Sequence, residues 1–101
     1  MTIRIKRLIW DEWNVGHIAR HNVLPDEVEE VCAGTFSSYE SYGGRFEVIG
    51  ATQQKSILLI VLDPEPAKGE YYVVTAHSAS KKDRVLFQKD KGGETNDTKE
   101  K

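Results

Sequence analysis

His77 closes the run Tyr71-Tyr72-Val73-Val74-Thr75-Ala76, and Ser80, Lys81, Lys82, Asp83 and Arg84 follow it. An imidazole and a group of cations in so short a span are candidate parts for RNA cleavage without a metal. A base must take the 2′-OH proton, and histidine is the side chain that ordinarily titrates near neutrality. Positive charge must hold the phosphate as negative charge builds on it. Lys81, Lys82 and Arg84 supply that charge, and a guanidinium can grip two oxygens at once. General acid–base help contributes ~10²–10⁴-fold, and an electrostatic contact aimed at the developing anion contributes ~10²–10³-fold. Arg45 adds a cation from a neighbouring strand. Phe46, Tyr39 and Tyr42 offer aromatic faces on which unpaired bases stack. The plainer alternative is that the cations are the solvated first turns of a surface helix.

Other residues invite chemistry and support it less well. His17 and His21 stand four apart, so both rings can share one side of a helix. That is metal-ligand spacing, but position 18 is Ile rather than Glu, so there is no HExxH signature. Adding Cys32, the single cysteine, still leaves no fourth ligand for zinc, and no metal site is expected. Cys32 falls on an apolar helix stripe and reads as a small buried hydrophobe. Glu27, Glu29 and Glu30 read as a solvated face. Gly43-Gly44 is a turn, not a phosphate loop, because no Lys-Ser/Thr follows it.

These groups must be positioned by one domain. The chain has 101 residues, 39% hydrophobic and 30% charged, with a formal net charge of −2. That balance suits a single core and disfavours a nucleic-acid binder that uses its whole surface, while a local basic patch stays compatible. The longest apolar run, Ile57 to Leu62, is strand-sized, far short of a membrane span. The opening Thr2-Ile3-Arg4-Ile5-Lys6 has no signal-peptide apolar region. With one cysteine and no internal disulfide, the expected location is the cytoplasm.

Residues 3 to 10 alternate apolar and charged and predict a strand. Asp11 is placed as an N-cap for a helix over 12–21, with Val15, Ile18 and Ala19 on one face. Asn22 is a left-handed stop. A second helix starts at Pro25, carries Val28, Val31 and Cys32 inward, and ends at Gly34. Leu24 has no side-chain acceptor, so fraying is expected there. Strands follow over 36–42, 45–52, 57–62 and 70–76. Gly43-Gly44 turns the first pair, and the continuous apolar run 57–62 marks a central strand buried on both faces. Ser80 caps a third helix, with Asp83 completing a capping box; that helix is expected to end near Lys89. Residues 1–90 then form one domain and 91–101 a disordered polar tail. The order β-α-α-β-β-β-β-α, with adjacent strands pairing in sequence, predicts an α+β two-layer sandwich: an antiparallel meander with the helices on one face.

The same residues, in the same order, resemble a known family. Trp10-Asp11, His17-Ile18-Ala19-Arg20-His21, Val23 and then Glu27 before a helix are similar to the opening of BrnT-type toxins, the toxin halves of bacterial type II toxin–antitoxin pairs. Arg45-Phe46 to Gly50, reading R-F-x-x-I-G, is a second match. Val74 to Arg84 is close to the family's strand-end pattern of hydroxyl-Ala-Arg-x-Ala-Thr/Ser, two basic residues, an acid and Arg. The likeness spans residues 6 to 89. It implies a RelE-like fold and a metal-independent endoribonuclease that inhibits translation and needs no cofactor. His77, Lys81 and Arg84 would then be catalytic, with Arg45, Lys82, Phe46, Tyr39 and Tyr42 contacting RNA. A cognate antitoxin is implied too, a ribbon-helix-helix or other small DNA-binding protein that covers the active surface and joins the toxin in repressing their operon. The chain departs from the pattern at His77, where the family has Arg, and at Phe87, where many members have Tyr. The first motif is one residue short, with Asn14 near the usual Lys. The alternative function is a non-catalytic protein- or RNA-binding module on the same scaffold. An exposed strand edge makes a homodimer accessible.

Overall fold

A computed structural model of the chain describes residues 3–96, with side chains through residue 89. The elements run β1 (Arg7–Ile9), α1 (Glu12–Ala19), α2 (Pro25–Ala33), β2 (Phe36–Glu40), a 3-10 turn (Tyr42–Gly44), β3 (Phe46–Ala51), β4 (Ile57–Pro64), β5 (Glu70–Ser78) and α3 (Lys81–Asn96). The fold is α+β, with one five-stranded sheet in the order β1-β5-β4-β3-β2.

β2 to β5 form the expected antiparallel meander. The sheet as a whole is mixed, because β1 lies parallel to β5 at its outer edge. Neighbour-to-neighbour pairing fails at β1 because the chain then passes through two helices to the opposite edge before β2 begins. β1 is also shorter than its alternating sequence: Arg7 pairs with Glu70, where β5 starts, so Ile3 and Ile5 have no rung to join. They pack against the core instead.

The helices do not share one face. α1 and α2 cover the side of the sheet carrying Val48, Leu58, Ile60, Leu62, Val73 and Ala76. α3 covers part of the other side, where Phe87 packs with Ile49, Leu59 and Ala79 and against Tyr39 and Ile57. The expected two-layer arrangement therefore gains a partial third layer. β4 supplies the reason: its apolar run projects alternately to both faces, so each face needs a cover.

Local signals behave as their chemistry dictates at most element ends. Ser80 and Asp83 form the capping box of α3, with Asp83 N–H donating to Ser80 Oγ at 3.1 Å and Ser80 Oγ to Asp83 Oδ2 at 2.9 Å. Leu24 can provide only half a box at α2, where its N–H donates to Glu27 Oε1 at 2.9 Å. Gly43 and Gly44 adopt φ of 68° and 82°, the left-handed backbone that closes the β2–β3 connection. α3 continues to Asn96, past Lys89, with no proline to interrupt it; residues 97–101 of the expected tail lie outside the described residues. No helix among the described residues is long and apolar enough to cross a membrane.

On α1 the buried face is only in part the expected one, through Ile18. Val15 is 38% exposed and Ala19 is exposed, while Asn14 and Ile18 are fully buried. Asn14 is accommodated because all of its polar atoms are used. Its Nδ2 donates to Ile9 O at 2.9 Å and Val73 O at 3.0 Å, and its Oδ1 accepts from Asp11 N–H at 2.8 Å. Asp11 in turn accepts from Asn14 N–H at 2.9 Å and from the Tyr72 hydroxyl at 3.0 Å. The Tyr72 phenol is held above the usual tyrosine range, first by desolvation and then by Asp11.

Candidate functional site

The site builds up from an irregularity in β5. The β4–β5 register shifts between Val61 and Leu62: Leu62 pairs with Val73 and Val61 with Thr75, so Val74 has no rung. Such a bulge re-aims every residue beyond it. Val73 and Ala76 are three apart, yet both belong to the core under α1 and α2. His77 consequently shares a rung with Leu59, whose side chain packs under α3. Residues opposite each other across a rung share a face of the sheet. Simple alternation from Val73 would have put His77 on the other face.

His77 is half-buried, and its Nδ1 lies 2.9 Å from Ser78 O. A carbonyl only accepts, so this bond places a proton on Nδ1, and in the neutral ring the lone pair is then on Nε2. That is the tautomer a proton acceptor needs. Ala79 N–H donates to Ile57 O at 2.9 Å, holding the strand end, and α3 begins two residues later. Lys81 and Arg84 lie with Val85, Gln88 and Lys89 along a shallow depression on the outward face of α3. Lys82 is exposed beside them. Asp83, within the same turn, puts its carboxylate on the cap rather than on a cation.

The remaining candidates are elsewhere. Arg45 is within 3.9 Å of Asp63, both about half exposed. Asp63 is four rungs from Leu59 along β4, about 13 Å at roughly 3.3 Å per residue. The sheet therefore holds Arg45 away from the His77 end. Phe46 meets Tyr71 edge-on, with ring centroids 6.1 Å apart, and lines a depression with Ile3, Ser38 and Glu40. Tyr39 borders that depression and leans on the Phe87 cluster. Tyr42 is 93% exposed in the 3-10 turn. Phe87 is 3% exposed and belongs to the core, not to the site surface.

The structure also brings in residues that sequence spacing could not connect to His77. His21 meets the His77 ring with centroids 5.7 Å apart, His17 meets His21 at 5.4 Å, and Trp13 stacks on His17 at 4.7 Å with the planes 8° apart. The four-residue spacing of His17 and His21 was legible; their junction with β5 was not. Among the described residues no group of three His, Cys, Asp or Glu side chains is placed to hold a metal. The acids of α2 are more engaged than a solvated face would be. Glu29 accepts from the Trp10 indole at 2.9 Å, and Glu30 accepts from Gln53 N–H at 3.1 Å.

Cys32 is a buried packing group, with its thiol pushed up to about 12 by desolvation and secondarily by Glu29. The native protein should therefore resist a thiol reagent such as Ellman's at pH 8 and react stoichiometrically once unfolded in guanidinium, since the thiolate is the reactive form. Rapid native labelling would show the α2 stripe to be open. Compared with known proteins, the chain matches no family model and no curated protein sequence.

Proposed function

We propose that the chain is a toxin-like, metal-independent endoribonuclease on a RelE-like scaffold, the partner of a cognate antitoxin, and that it slows translation by cleaving RNA. The observation that carries the reading is the His77 junction. An imidazole whose Nδ1 bonds Ser78 O stands one residue from the end of a strand, and Lys81, Lys82 and Arg84 open the helix that follows. In this chemistry Nε2 takes the proton from a ribose 2′-OH, and the 2′-oxygen bonds to the adjacent phosphorus. The P–O5′ bond breaks, leaving a 2′,3′-cyclic phosphate and a 5′-hydroxyl that takes its proton from solvent. The lysines and Arg84 stabilise the charge that builds on the phosphate oxygens.

Arg45 supports a second reading. Its pairing with Asp63, several rungs away, removes one cation from the assembly. A binding-only module would tolerate that separation better than a nuclease. Induced expression of the chain alone in bacteria separates the two. The nuclease arrests growth and shortens RNA, and His77→Ala, Lys81→Ala and Arg84→Ala each relieve the arrest while remaining folded by circular dichroism. Normal growth with intact RNA rejects the nuclease, and arrest undiminished in all three variants moves the site elsewhere.

A further inference from the structure

The outer side of α1 presents a stripe that the fold does not use. Trp13, Gly16, His17 and Arg20 recur at helical spacing, and His21 continues the line one turn on. The buried side of the helix is Asn14 and Ile18. Trp13 is 59% exposed, an unusual position for the largest apolar side chain. Its indole is ordered nonetheless, stacked on His17, which contacts His21, which contacts His77. All three histidines of the chain thus form one series of ring contacts leading from α1 to the strand end. A Cβ added at Gly16 would meet nothing within 4 Å, so the stripe has open space beside its rings. Arg20 is exposed, and among the described residues no carboxylate pairs with it.

We propose that this stripe is a stacking track for single-stranded RNA, running from the His77 junction along α1 to Trp13. The proposal rests on the reading of His77 as the point where RNA is held. The occupant follows from the chemistry of the surface. Successive ring faces and edges accept nucleobases of any sequence, because every base has a π-face. A guanidinium on the same side matches the phosphates between them. Cations flank the track at its His77 end, Arg20 beside His21 on α1 and Lys81 and Lys82 in the helix after His77, which suits a polyanion more than an apolar peptide.

Two uridine oligomers with 2′-O-methyl sugars, a tetramer and a decamer, test the track without being cleaved. The full chain should bind the decamer about tenfold more tightly than the tetramer, in keeping with base–aromatic stacking. Trp13→Ala should lose most of that gain. Gly16→Glu should lose it too, while thermal unfolding is not lowered, because glycine is the poorer helix former. A purely structural role for the stripe predicts the opposite pairing, unchanged affinity in both variants. If the parent cleaves unmodified RNA while both variants keep the length-dependent gain, the track is wrong and the nuclease stands. If the gain follows the track and no RNA is cut, the track stands and the nuclease falls. A parent that binds neither oligomer overturns both.

Discussion

Asn14→Ala is expected to destabilise the protein by about 3 kcal/mol, because it strips partners from several groups at once. The Asn14 side chain is fully buried and joins three segments: the end of β1 through Ile9 O, the cap of α1 through Asp11 N–H, and β5 through Val73 O. Among the described residues no buried side-chain nitrogen or oxygen lacks a partner. Alanine removes both the donors and the acceptor, so the two carbonyls and one N–H lose those partners. Each such loss costs about 1–3 kcal/mol, and the sum stays below simple addition because water reaches the Asp11 end. For a domain of this size the loss lowers the melting temperature by on the order of 15 °C. Asn14→Asp is a sharper probe: it preserves shape and the acceptor, yet turns the donor nitrogen into an oxygen facing two carbonyls. It should be at least as destabilising as alanine. Urea denaturation of the three proteins checks both statements, and a change below about 1 kcal/mol for alanine would show that the junction is not what seats α1 on β5. The same junction sets where α1 runs along β5, and therefore that His21 ends beside His77.

Gly50→Val should be comparably damaging, for a steric reason. A Cβ at position 50 would fall 2.7 Å from Val31 Cγ1, 3.2 Å from Phe36 Cβ and 3.3 Å from Thr35 O. Val31 is fully buried on α2, and a β-branched side chain in a helix has essentially one χ1 rotamer, so it cannot swing aside. The other neighbours are a Cβ and a backbone carbonyl, which move only with the chain. Overpacking by small increments costs about 1–3 kcal/mol, and valine adds two methyl groups to the clash, placing it at or above the top of that range. Gly50→Ala should lie lower in it. Adding Val31→Ala to Gly50→Ala should recover part of the loss, because the two positions compete for one space. Additive losses in that cycle would show that α2 does not bear on β3 at this point. Gly50 closes the R-F-x-x-I-G stretch, and its geometric role is to let α2 approach the sheet.

The parts of the fold that were legible before the structure are those written in short-range pattern. Val28, Val31 and Cys32 mark the inward stripe of α2 by helical spacing alone. Gly43 and Gly44 announce the β2–β3 connection because few other residues take positive φ there. Ser80 and Asp83 identify the start of α3 because a hydroxyl and a carboxylate three residues apart can satisfy each other's backbone donors. His77 and the cations after it are neighbours in sequence, so they could be named together without tertiary knowledge; Lys81 and Arg84 line a depression on the outer side of α3 that His77 does not line. Arg45 belongs to the opposite case. Only the β3–β4 and β4–β5 registers reveal that it sits beside Asp63, away from His77.

The sequence by itself determined the elements, their order and the central position of β4, since each depends on residues within a few positions of one another. The tertiary structure alone decided that β1 lies parallel to β5, that α3 takes the second face, and that a polar Asn14 joins Ile18 on the buried side of α1. It also decided the orientation of the site. One unpaired residue, Val74, reverses the alternation of β5 and brings His77 onto the rung of Leu59. The physical reason is that strand pairing and bulges are settled by partners far along the chain, and a shift of one residue moves every following side chain to the other face.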